Sequence, residues 1–256
     1  MDRQYGAALL LTIWVILLLS VLAGSALLVA RSEALRGRQA QVRAEAIAAA
    51  DGALRLAIHE LSSPDAAARS VETRPMRLTI GAFEVEVTFQ RERGKVDLNH
   101  ASPLLIAELM RQLGHDGAPE LARAIEAKRA RPRTPGTRVF DSALDMTELG
   151  RLDAKTAACA AAFTTIYTTA KEPELAHADP VVIAAVEAIR GTPSARIPEP
   201  GSPLAGQMFK VMASARVSVD ETLAREVVAR ITGNPNKAFL IYTWRTADEI
   251  KENKCR

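Results

Sequence analysis

The chain has 256 residues, a formal net charge of +3, 25% charged residues and only 4% aromatic ones. This balance excludes bulk disorder, and the charge is too small to imply a polyanionic partner by itself. Two cysteines are too few for a disulfide framework: Cys159, in the run TAACAAAF, reads as a buried small hydrophobe, and a bridge to Cys255 in the charged tail would need an oxidising compartment.

The first predicted element is a helix. Residues 7–30, AALLLTIWVILLLSVLAGSALLVA, carry no charge. As a helix they span about 36 Å, against about 30 Å for the hydrocarbon core of a bilayer. The competing reading is a cleaved signal peptide, with AGSA at 23–26 as its small-residue exit site. Two details oppose it. The polar stretch before the run, MDRQYG, is very short and ends in glycine at the apolar boundary. The helical pattern also continues beyond the run, with Ile47, Ala50, Leu54, Ala57, Ile58 and Leu61 on one face. Ser62-Ser63-Pro64 ends it, because proline turns the preceding residue away from helical geometry. The expectation is one helix from about residue 7 to about residue 62, about 80 Å long, lipid-soluble in its first half and amphipathic in its second.

Next comes a hairpin over 76–91. Phe83, Val85, Val87 and Phe89 alternate with polar residues, the period of a half-buried strand, and Gly81-Ala82 supplies a turn. Its apolar face offers the surface that the amphipathic half of the helix needs. From about 94 to 190 the pattern shifts to short helices and contains a repeat: LNHASPLLIA (98–107) matches LAHADPVVIA (175–184). Physically this is a helix start used twice, with Ser102 or Asp179 as N-cap and Pro103 or Pro180 at the first helical position. A Gly/Pro/Ser-rich loop follows at 191–207. Residues 209–217 alternate as a strand, 222–232 fit either a helix or a strand, and 238–245 form a last strand after the turn Asn234-Pro235-Asn236-Lys237. The tail from 246 reads as mobile.

No catalytic constellation emerges. His59, His100, His115 and His177 are the only histidines, and His100 and His177 are equivalent in the repeat, so a structural role at the helix start explains both. A zinc site would need further ligands at suitable spacing. No nucleophile elbow, phosphate-binding loop or dinucleotide motif is present.

The short leader ending in Gly6, the long apolar helix behind it and the hairpin resemble type IV prepilins and pseudopilins. The strings GKVDLNHASPLLIAEL (94–109) and VFDSALDMTELGRL (139–152) resemble the helical insertion of the K-type minor pseudopilin of type II secretion systems, the general secretion pathway protein K family. This resemblance favours a strand for 222–232. It implies cleavage between Gly6 and Ala7 by prepilin peptidase, N-methylation of Ala7, and a non-acidic fifth mature position, Leu11, where most pilins carry glutamate. A glutamate there is thought to pair with the ammonium of the subunit above it. A tip subunit has no such neighbour, and an unpaired charge in hydrocarbon is costly. The bland reading of Leu11 is one more lipid-facing residue.

The implied fold class is α+β: a pilin-like long N-terminal helix packed on an antiparallel sheet, with a large inserted all-α domain of sterile-alpha-motif-like or helix-hairpin-helix-like type. The implied divisions are a leader 1–6, a transmembrane half 7–30, the periplasmic half of the helix plus hairpin 31–93, the inserted domain 94–190 and the C-terminal strands 191–256. The implied role is not enzymatic: a tip subunit that initiates and caps the pseudopilus for export across the outer membrane, with I-type and J-type minor pseudopilins and prepilin peptidase as partners. It would be a single-pass protein of the bacterial inner membrane, N-terminus cytoplasmic and bulk periplasmic. One observation runs against that topology: Arg31, Arg36, Arg38 and Arg43 follow the span and only Arg3 precedes it, which by the basic-residue rule would put the C-terminal part in the cytoplasm. Glu33 and Glu45 among those arginines weaken the rule here.

Some K-type pseudopilins bind calcium, which wants several carboxylate oxygens together. The 191–210 loop offers only Glu199, so no cofactor is carried over. The alternative function is a membrane-tethered helix-hairpin-helix DNA receptor. Its candidate turns, LGHDGA (113–118) and LGRLDA (149–154), lack a compact Gly-x-Gly phosphate cradle. The basic stretch Arg123, Lys128, Arg129, Arg131, Arg133, Arg138 keeps that idea in play, but no nucleic-acid partner is expected.

Overall fold

The computed structural model describes residues 3–63, 75–132, 134, 137–149, 152–191, 204–234 and 236–247; for 3–10 and for residue 154 it describes the backbone alone. Helix α1 runs unbroken over Arg3–Ser62. It therefore starts a turn earlier than the pattern suggests, and it stops at the residue expected from the Ser-Ser-Pro signal. Its side chains from Leu11 to Glu45 are exposed, and Arg43 among them reaches the head, at Glu221. Among the described residues it is the one helix long and apolar enough to cross a membrane.

From Ala46 onward α1 lies on a sheet. Strands β1 (Met76–Ile80), β2 (Phe83–Arg91), β5 (Met208–Arg216), β6 (Thr222–Asn234) and β7 (Lys237–Ala247) form an antiparallel sheet in the order β1-β2-β5-β6-β7. Gly81 takes φ +61 in the β1–β2 turn, a conformation that glycine adopts without strain. The face that α1 presents is built largely from Ala46, Ala49, Ala50, Ala53 and Ala57, with Leu54, Ile58 and Leu61. Facing them are Val85, Val87, Phe209, Val211, Ala213, Ala215 and Val227. Small residues on both sides let the helix axis approach the sheet closely, so close packing substitutes for bulky anchors. Ile47, placed on this face by its spacing, is only half-buried, and Ala46 occupies the core position instead.

A polar clasp fixes the helix in register on the sheet. Asp51 accepts from Arg225 Nε at 2.8 Å and from Trp244 Nε1 at 2.7 Å. Arg55 stacks over the Trp244 ring, and Arg43 pairs with Glu221 at the β5–β6 turn. Asp51→Ala removes the acceptor of two part-buried donors and should cost about 2–3 kcal/mol, at the upper end for bonds to charged groups. Its signature is a lower denaturant midpoint in Trp244 fluorescence, read in a Trp14→Phe background.

The helical insertion leaves the sheet after β2 and returns at β5. Those two strands are direct neighbours, with Arg91 opposite Phe209. The insertion is thus an overgrown hairpin loop, which a sheet tolerates at little entropic cost because closure entropy grows only slowly with loop length. It contains α2 (Pro103–Gln112), α3 (Ala118–Ala130), a 3-10 helix over Ala143–Leu149, α4 (Ala154–Ala160) and α5 (Pro180–Arg190). Two short strands that the sequence does not advertise, β3 (Val96–Asp97) and β4 (Thr164–Thr165), pair in parallel. Helices α2 and α5 pack together around a core of their own that includes Leu98, Ile106, Leu109, Met110, Leu121, Ile125, Phe140 and Met146.

Candidate functional site

The sequence-predicted site residues lie on the free rod. The helix passes through Gly6 and Ala7 without interruption, and Leu11 is 68% exposed. Trp14, Ile16 and Leu18 are likewise exposed. The cleavage after Gly6 and methylation of Ala7 that the resemblance implies would be chemistry done to the chain by another protein.

The repeated motif resolves into a set of local locks. Ser102 accepts from Leu105 N, and Asp179 from Val181 N, with proline just inside each helix as expected. The first copy does more. Asp97 is fully buried, and its two oxygens accept from the backbone of Asn99, His100, Thr168 and Thr169, from Thr168 Oγ1, and contact His100 Nδ1 at 2.9 Å. Asn99 spans to the 139–140 segment, accepting from Val139 N and Phe140 N and donating to Phe140 O. The second copy has Ala176 in place of Asn99 and lacks that bridge. Among the described residues what recurs is a helix entry, leading into α2 in the first copy and into α5 in the second.

The basic stretch is spent on this scaffold. Arg129 donates to the carbonyls of Ala101 and Leu98, both at 2.6 Å. Lys128 pairs with Glu148 and sits over the Phe140 ring; Arg123 pairs with Glu120; Arg138 stacks on Tyr167. Arg133 lies outside the described residues. In the second candidate turn, Asp153 caps α4 by accepting from Thr156 N, so a carboxylate already holds the place a phosphate would take. Among the described residues no group of three or more His, Cys, Asp or Glu could hold a metal ion; residues 192–203 of the loop considered for calcium lie outside the described ones. Cys159 is buried and disulfide-bonded, which the alanine-rich run around it does not reveal; its pairing with Cys255 falls outside the described residues.

The insertion rests on the sheet face opposite α1, and the contact is charged. Glu92 and Lys95, with side chains 2% and 4% exposed, pair at 2.6 Å. Nearby, Glu226 accepts from Lys210 at 2.9 Å and from Arg245. Burial pulls the Lys95 ammonium below its ordinary pKa, and Glu92 only partly restores it. Burial alone would raise Glu226, but Lys210 and Arg245 more than offset that and hold its carboxyl below the usual range. These groups line a cleft of about 290 Å³ closed by Tyr167, Leu144 and Val228. A bulge in β7 leaves Tyr242 without a cross-strand partner, between the pairs Val228–Thr243 and Ala229–Ile241, and turns its ring edge-on to Tyr167 of the insertion. Within the cleft Glu92 is paired with Lys95, and Glu226 with Lys210 and Arg245. That makes it a seam between two bodies rather than a pocket awaiting a ligand.

No family model matches the chain, and no curated protein matches it. Among solved structures it is similar to a chain in the crystal structure of the GspK-GspI-GspJ complex from the enterotoxigenic Escherichia coli type 2 secretion system, with 13% identity, a TM-score of 0.56, and 84% of this chain and 100% of that chain covered. The likeness shows the fold: a long N-terminal helix on an antiparallel sheet with further helices, the pseudopilin-like architecture.

Proposed function

We propose that the chain is a minor pseudopilin of a type II secretion system, of the K type, acting at the pseudopilus tip. The observation that carries this reading is the pairing of a pilin-like head with a bulky insertion on the far side of its sheet, on a rod whose fifth position after Gly6 is Leu11 rather than an acid. Its work is mechanical. The rod anchors in the inner membrane with its N-terminus cytoplasmic, the head stands in the periplasm, and I-type and J-type minor pseudopilins join it to start and cap the fibre. The inserted domain, about residues 94–190, makes addition of a further subunit above it sterically difficult. A disulfide at Cys159 suits the oxidising periplasm.

The decisive measurement is the intact mass of the protein recovered from membranes. Loss of residues 1–6 together with one methyl group on Ala7 is the expected result, and Gly6→Ala should leave the leader in place. A mature start near residue 27, or the full-length mass in a host with active prepilin peptidase, overturns the proposal.

A further inference from the structure

The sheet ends in two edge strands, β1 and β7, and they are built differently. β1 is short, follows Pro75 and exposes Arg77, devices that discourage pairing with another chain. β7 carries the uncharged run Ala-Phe-Leu-Ile-Tyr-Thr-Trp over 238–244. Over that run no backbone group is hydrogen-bonded to anything but β6 among the described residues. Phe239 and Ile241 lie opposite Ile231 and Ala229, so they face the α1 side of the sheet. The helix leaves them 37% and 45% exposed.

Three unpaired cations stand along this edge. Lys237 opens the strand, Arg230 lies across from Leu240, and Arg55 stacks over Trp244. All three are exposed and make no ion pair among the described residues. Asp51 and Glu226, beside the strand, are already taken, the first by Arg225 and the second by Lys210 and Arg245. We infer that β7 is a docking edge for an extended acidic peptide segment of another protein. The segment adds to the sheet as a further strand, sets apolar residues beside Phe239 and Ile241, and brings carboxylates to Lys237, Arg230 and Arg55. The main-chain ladder supplies affinity, and the alternate side chains and the charges supply selection. The bulge at Tyr242 leaves Lys237–Ile241 as the regular stretch for that ladder. The inference goes beyond the proposed pseudopilin role and stands on the edge itself.

A second copy of the chain is the competing occupant, and charge decides against it. It would bring the same three cations to the same edge, where like charges across a strand pair are destabilising. Direction opposes it as well. α1 runs the same way as β6, with Arg43 at Glu221 and Asp51 at Arg225, and β7 runs opposite to both. Two copies paired antiparallel through β7 would point their rods in opposite directions, which rods anchored in one membrane cannot do. An acidic strand from another protein meets neither obstacle.

The test uses the full chain in detergent and a fluorescent peptide, Glu-Thr-Val-Thr-Val-Thr-Glu, followed by anisotropy. Saturable binding is expected, at least tenfold tighter than that of the same peptide with lysine at both ends. N-methylation of one alternate set of peptide amides should abolish binding and of the other set spare it, because a strand turns every second residue's N–H toward its neighbour. Hydrogen exchange of the outward amides over 238–241 should slow when peptide is added, with β1 unchanged. Arg230→Glu with Lys237→Glu should reverse the preference toward the lysine-ended peptide. The denaturant midpoint should hold, since both residues are exposed. Equal binding of the two peptides, equal loss from both N-methylated sets, or no saturation at about 1 mM peptide overturns the inference. So does protection of every amide over 238–241 in the free chain, or a dimer in sedimentation that Arg230→Glu with Lys237→Glu alters, since the edge would then be covered already. None of these readouts depends on leader cleavage, so the docking edge and the pseudopilin role fail separately.

Discussion

Glu92→Ala should destabilise the head by about 3–5 kcal/mol, the usual cost of stranding a buried charge. Lys95 would be left 4% exposed without its ion-pair partner, and its ammonium is already disfavoured by burial. The chain can respond by releasing a proton from Lys95 or by lifting the insertion off the sheet to let water in. Either response shows in a denaturation series: the variant's midpoint should fall sharply and partly recover at high pH. The sign follows from linkage. A lysine whose folded pKa is depressed binds fewer protons in the folded than in the unfolded state, so stability rises with pH between the depressed value and the ordinary one near 10.5. Replacing the pair together, Glu92→Met with Lys95→Met, should return most of the lost stability, because apolar side chains of similar volume avoid the desolvation cost. An unchanged midpoint for Glu92→Ala would show that water already reaches the pair.

Gly94→Ala should be nearly as damaging, at about 3 kcal/mol or more, beyond ordinary overpacking. A methyl group at Gly94 would sit 2.1 Å from the carbonyl oxygen of His177 and 2.6 Å from its carbon. These are backbone atoms that cannot rotate away. The segment is also pinned, with Glu174 N donating to Arg93 O at 2.8 Å and His177 N to Glu174 O at 3.0 Å. The start of the insertion thus passes directly against the 3-10 turn Leu175–His177, and any side chain at Gly94 pushes the two segments apart. Hydrogen exchange should report the loss as faster exchange over 92–97 and 174–178. Gly37→Ala is the matched control: it has open space around it, lies mid-helix, and should be neutral or mildly stabilising.

Both predictions concern the junction of insertion and sheet, and neither was legible beforehand. Ala50, Leu54, Ala57, Ile58 and Leu61 disclose the core-facing side of α1 because a helix repeats every 3.6 residues, though Ile47 turns out half-buried, and the strand at 83–89 discloses itself by alternation. The ambiguous stretch 222–232 is strand β6. It is flanked by β5 and β7, so both its faces and both its edges are used, which blurs the alternation that would mark a one-sided strand. Ser102, Pro103, Asp179 and Pro180 mark helix entries because capping is local chemistry. The same locality leaves the basic stretch undecided: only the fold brings the carbonyls of Ala101 and Leu98 beside Arg129.

The amino-acid order by itself determined the uncharged rod, its amphipathic continuation, the hairpin and the twice-used helix start, because each depends on neighbours within a few residues. Only the tertiary structure decided that the insertion returns beside the strand it left, that Asp51 clasps Arg225 and Trp244, and that Glu92, Lys95, Lys210, Glu226 and Arg245 meet in one buried seam. The physical reason is sequence distance. Desolvation and ion pairing act between groups brought together from opposite ends of the chain, and no local period records which charge will find which partner once water is excluded.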